Sequence, residues 1–164
     1  MQKIHIQNLT YANFAAFGEV ISCQGQPFFY INDEQTQRYH ALADTQILGD
    51  GKASISIFRN IKASSLPVSI SMLERHPYGS QAFIPMHGQH FLVVVAKSKN
   101  EHEPNLDEIY AFITDGAQGV NYHAGTWHHP LLTLEAPSDF AVIDRIGTGN
   151  NCDVYSFLEP YQIE

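Results

Sequence analysis

Three of the nine histidines, the single tryptophan and two glycines fall within residues 118–131, Gln-Gly-Val-Asn-Tyr-His-Ala-Gly-Thr-Trp-His-His-Pro-Leu. Histidine is the commonest metal ligand and a ready acid or base at neutral pH. If Gly125 closes a turn and residues 126–129 run extended, side chains alternate between faces. His128 then shares a face with Thr126, and Trp127 and His129 point the other way. One imidazole is aimed at a cavity and one at the opposite surface. Taken singly, each histidine reads as packing or as a solvated side chain; the cluster as a whole reads as a site. A second polar set lies upstream, Glu74-Arg-His76-Pro-Tyr-Gly-Ser-Gln81, with Gly88 closing the next hairpin. Glu74 and His76 are two apart on an expected strand, so they share a face.

The elements that must hold these groups are mostly short strands. Residues 3–7 alternate in period two, Thr10 caps an expected helix over 11–17, and Gly18 stands as its C-terminal stop. Residues 53–59 form the clearest period-two strand, with Ile55, Ile57 and Arg59 on one face. Residues 67–76, 81–85, 90–96, 131–134, 140–145 and 152–157 also read as strands, and Asn105 opens one possible helical turn. Turn signals about every 8–12 residues indicate an all-β barrel or sandwich, so the expected class is mainly β.

Composition narrows the partners. A formal charge of −8 argues against nucleic acid, whose recognition rests on basic patches. An anionic substrate would need local positive charge from Arg38, Arg59, Arg75, Arg145 or a metal. The longest apolar run, residues 91–96, is far too short to span a membrane. The N-terminal stretch lacks the apolar core of a signal peptide. Two cysteines, Cys23 and Cys152, form neither a disulfide framework nor a zinc-type spacing, so the cytoplasm is the expected compartment.

The spacing of Glu74, His76, Gln81 and Gly88 resembles the first motif of the cupin superfamily, His-x-His, then Glu, then Gly. The stretch Ala124-Gly-Thr-Trp-His128 resembles the second, Pro-x-Gly-x-x-His. Glu74 stands where the first motif histidine usually is, and Gln81 where its glutamate is. The implied metal set is therefore Glu74, His76, Gln81 and His128. Glu-Arg-His-Pro, Gln-Ala-Phe-Ile-Pro-Met, Gln-Gly-Val-Asn-Tyr-His and Trp-His-His-Pro-Leu, in this order, resemble the ureidoglycolate lyase family of the allantoin pathway. So do residues 28–32 with Arg38-Tyr-His40, and residues 143–145 with 151–153. The resemblance runs over essentially the whole chain. It implies a single cupin-like domain over 1–164, a double-stranded β-helix (jelly-roll β-barrel) with a short N-terminal helix. It also implies a cytosolic homodimer that cleaves (S)-ureidoglycolate to glyoxylate and urea, with nickel as cofactor.

Ureidoglycolate is a carbinolamide, so elimination needs a base on its hydroxyl, an acid on the departing nitrogen and positive charge for its carboxylate. His76 and His128 with Glu74 are expected to anchor a metal or the hydroxyl, and His123 or His129 to give the proton. Arg145 is the expected carboxylate partner, with Arg75 as the alternative only if a β-bulge turns it inward. Arg59 reads as snorkelling to solvent. Trp127 reads as a packing wedge, and Tyr122 and Asn32 as groups able to hydrogen-bond a ureido group. Two other readings stay open: a different cupin reaction such as isomerisation or dioxygenation, and a non-catalytic module that senses a small acid.

Overall fold

The structure, a computed structural model, describes residues 2–164. Its helix is confined to Tyr11–Phe14, where Thr10 and Asn13 cap each other reciprocally. The rest of the regular structure is strand, 53% of the chain. One sheet runs in the order Gln2–Ile4, Asp153–Ile163, Val68–Arg75, Trp127–His128, Phe91–Ser98, Pro104–Ile113, Ile6–Asn8, with Leu132–Thr133 added beside Phe91–Ser98. The other runs Gly18–Ile21, Gly119–Tyr122, Gln81–Pro85, Ser138–Ile146, Lys52–Asn60. Together they form a nearly closed barrel of cupin-like type, as the mainly β reading required. Among the described residues no helix is long and apolar enough to cross a membrane.

The strand 91–98 explains why a continuous apolar run was present. Phe91, Val93 and Val95 enter the barrel interior with Phe83, Val120, Tyr122, Phe140 and Val142 of the facing sheet. Leu92, Val94 and Ala96 pack on the other face with Leu73, Trp127 and Ile163. Residues 91–96 are covered on both faces, and the polar Lys97 and Ser98 begin where that cover ends.

Two expectations are corrected. Residues 104–113 form a strand, not a helical turn at Asn105; Pro104 and residues 109–113 pair antiparallel with 92–98, and residues 105–108 lie in an irregularity between those pairings. Gly18 is not a helix stop; it opens a strand after the helix has ended at Phe14. A side chain there would collide with the backbone carbonyl of Asn121 on the neighbouring strand, so close approach is what selects glycine.

Candidate active site

Register brings the two polar segments together. Glu74 pairs directly with His128 across adjacent antiparallel strands, so both side chains rise from the same face. His76 follows just beyond the strand end, and its carbonyl accepts the Gly125 amide at 2.8 Å. Gly125 makes that contact at a φ of 80°, in the left-handed region that glycine occupies freely. Segments some fifty positions apart are thereby clamped at one barrel mouth.

The resulting cluster is Glu74, His76 and His128, whose donor atoms all lie within 4.8 Å of one another. Glu74 Oε1 is 4.0 Å from His76 Nε2 and 3.7 Å from His128 Nε2. The far nitrogens are held by backbone: His76 Nδ1 donates to Asn151 O at 2.7 Å and His128 Nδ1 to Thr126 O at 2.9 Å. A carbonyl can only accept, so the proton of each neutral ring sits on Nδ1 and the Nε2 lone pair faces the cluster. Both Nε2 atoms are buried and without a partner. Three acceptors thus converge with no donor between them, an arrangement that calls for a cation or for donor groups of a ligand. A metal at about 2.1 Å from each donor can touch two atoms up to about 4.2 Å apart, and both distances from Glu74 Oε1, 4.0 and 3.7 Å, fall within that reach. The backbone bonds on Nδ1 are those that fix tautomer and orientation in imidazole metal ligands. The residues present therefore fit a divalent ion.

His128 is buried and stacks on Tyr122 at 4.3 Å with 11° between planes. Burial pushes its pKa down to about 3, with smaller contributions from His76 and His129, so the ring is neutral and ligand-ready at pH 7. The unfolded chain, with an ordinary histidine pKa near 6.5, takes up the proton first as pH falls. Stability from this group is full above about pH 6.5 and is lost as pH descends toward 3. Metal-free protein is expected to lose on the order of 2 kcal/mol between pH 7 and pH 5 through this residue. Denaturant midpoints measured across that range should fall, and His128→Asn should flatten the slope; an equal slope in the variant would place the effect elsewhere.

The cavity over the cluster holds about 560 Å³ and is lined by Phe58, Arg59, Asn60, Glu74, His76, Gln81, Phe83, Pro130 and Leu131. That size suits a small molecule. Gln81 is buried, and its amide nitrogen donates to Asp144 Oδ2 at 3.2 Å. Cys152 was assigned no role from sequence, yet its Sγ lies 3.9 Å from Glu74 Oε2. The carbonyl of Asn151 is likewise part of the site, and as backbone it leaves no residue-type signal.

Four expected participants lie elsewhere. Arg75 faces away from Glu74, bonded to Asp153 Oδ2 and Glu101 O, with its guanidinium 4.7 Å over the Trp127 ring. No bulge turns it inward. Arg145 is buried among Leu48 O, Thr148 O and Asp50, where it pins loops together. Strand alternation sends it away from Asp144, which bonds Gln81 at the cavity. His123 pairs with Glu19 at 3.1 Å beside a different cavity, and Tyr122, one position back, is interior. His129 Nδ1 bonds the carbonyl of Pro130, and burial lowers its pKa. Arg59, set aside as snorkelling, does line the mouth, but its guanidinium is held by both oxygens of Asp139.

A family model described as ureidoglycolate lyase matches residues 1–164. A protein named ureidoglycolate lyase from Pseudomonas savastanoi pv. phaseolicola is 52% identical over 160 residues, covering 97% of this chain and 92% of the relative. Proteins of the same name from Pseudomonas paraeruginosa and Stutzerimonas stutzeri are 50% and 49% identical over 164 residues, covering 99% of this chain and 95% of each relative. With a match over its whole length, the chain belongs to the ureidoglycolate lyase family.

Proposed function

We propose that this protein cleaves (S)-ureidoglycolate to glyoxylate and urea at the Glu74–His76–His128 cluster. The observation that carries the reading is the meeting of three acceptor atoms, two of them orphaned imidazole nitrogens, in a cavity of small-molecule size. Glu74 Oε1, His76 Nε2 and His128 Nε2 would hold a divalent ion, nickel by family. When bound, the ion supplies positive charge beside the hydroxyl oxygen as its proton leaves.

The chain's own groups handle the rest. The second oxygen of Glu74, which does not face the imidazoles, takes the hydroxyl proton. The carbonyl of glyoxylate forms as the carbon–nitrogen bond breaks, the electron pair leaves on the ureido nitrogen, and the proton held by Glu74 is returned to it. His123 and His129 are not needed for this step. Gln81 offers a neutral amide to the ureido end, and Phe58, Phe83 and Leu131 limit water. The same reading makes the protein a cytoplasmic homodimer.

The test is an assay of urea and glyoxylate released from racemic ureidoglycolate, with the residual enantiomer identified. One urea per glyoxylate is expected, with the (R) form left over. Absence of either product after incubation with nickel, manganese or zinc would favour a binding module instead.

A further inference from the structure

Three polar side chains line up on the inner face of the five-stranded sheet. Phe83 and Val142 point into the barrel, so Gln81, two positions before the one, and Asp144, two after the other, point inward as well. Ile143 pairs with Ala82, which sets Asp144 opposite Gln81, and Gln81 in turn pairs with Tyr122. Neighbouring strands lie about 4.8 Å apart, so the row Tyr122–Gln81–Asp144 crosses roughly 10 Å of the sheet. At one end the Tyr122 ring stacks on His128, which ties the row to the cluster. Asp144 is an inward-facing acid that the reaction above does not use.

The contact between Gln81 and Asp144 is directional. Gln81 Nε2 donates to Asp144 Oδ2 at 3.2 Å. The two ends of a primary amide have nearly the same shape, so hydrogen bonds and not packing choose between them. A carboxylate only accepts, so Asp144 draws the NH2 end to itself and turns Gln81 Oε1 the other way. Gln81 is 7% exposed and lines the cavity over the cluster. Its Oε1 takes no hydrogen bond among the described residues. Unlike Nε2 of His76 and His128, it is not sealed off, so it opens onto the cavity. An acceptor fixed in a cavity wall without a donor is a place for a ligand N–H.

We propose that Gln81 Oε1, its direction set by Asp144, binds the terminal NH2 of the ureido group, and that this pair selects ureido acids over acids that end in a methyl group or a carboxylate. This rests on the reading of the site as one for ureidoglycolate. A methyl group in place of the NH2 leaves the oxygen of Gln81 dehydrated and unpaired, and a carboxylate there meets it acceptor to acceptor. Gln81 is then a substrate contact and not the fourth metal ligand that the motif spacing implies. Asp144 is a positioning residue that acts through it.

The experiment uses two ligands without the hydroxyl, ureidoacetate and N-acetylglycine, which differ only in NH2 against CH3 at the far end. Calorimetric titration of the whole chain with nickel added should show ureidoacetate binding about tenfold tighter, the worth of one such hydrogen bond. Asp144→Asn is nearly isosteric, but its amide both donates and accepts, so Gln81 takes either direction and the preference should fall to about twofold. N-acetylglycine and nickel should bind this variant as they bind wild type. A preference that survives in Asp144→Asn would overturn the positioning role, and so would an equal loss of affinity for both ligands. Weakened nickel binding in the variant would put Gln81 on the metal and overturn the contact. Wild-type protein with no preference, or with no affinity for either ligand, would overturn the subsite. Neither ligand is cleaved, so the two failures separate. A preference without urea release from ureidoglycolate would remove the proposed reaction and keep the subsite; urea release without a preference would remove the subsite alone.

Discussion

His76→Ala is expected to lower kcat/KM for ureidoglycolate by about 10²- to 10⁴-fold while the protein stays folded. The His76 side chain is 17% exposed and tied by one hydrogen bond to Asn151 O, so its removal leaves a gap at the barrel mouth and not in the core. His128→Ala should cost as much activity but also stability, because that ring is 2% exposed and stacked on Tyr122. His128→Asn, which fills part of the same space, separates the two effects. Steady-state kinetics paired with thermal melts are the check. Near-wild-type rates in folded His76→Ala and His128→Asn would remove the cluster from the chemistry.

The largest effect on stability is expected at Trp127. Its side chain is 1% exposed and packs with Leu73, Val94 and Ala96 on the outer face of the larger sheet, under the Arg75 guanidinium. Trp127→Ala should cost about 3–5 kcal/mol, a large share of the roughly 5–15 kcal/mol that holds a typical domain together. Trp127→Phe should cost much less, because the indole nitrogen is buried without a partner and no hydrogen bond is lost with it. Urea denaturation midpoints decide the point; equal midpoints for the two variants would mean that this face is less tightly packed than its burial indicates. Trp127 and His128 share a two-residue strand, so the alanine variant should also weaken the cluster.

Strand alternation made much of this legible in advance. Period two placed Glu74 with His76, set Arg75 opposite them, and turned Trp127 away from His128, because side-chain direction in a strand is a local property. Proximity in sequence served less well. His123 lies five positions from His128, yet it follows the interior Tyr122 and so faces outward to Glu19. Arg145 looked available because nothing local announces that Leu48, Asp50 and Thr148 fold over it. Asn105 opened a polar stretch that resembles a helical turn, but it lies between Pro104 and residues 109–113, which pair with the buried strand 91–98 and hold the segment extended. The carbonyls that orient His76 and His128 are invisible to any reading of residue types.

Glu74, His76 and His128, carried on two distant segments, are expected to form one metal-binding centre. Its most direct test is calorimetric titration of chelator-treated protein with nickel. One ion per chain is expected in the wild type, with binding abolished in His76→Ala and Glu74→Ala and retained in Arg75→Met and His123→Ala. Unchanged stoichiometry and affinity in His76→Ala and Glu74→Ala would mean that these side chains hold no metal.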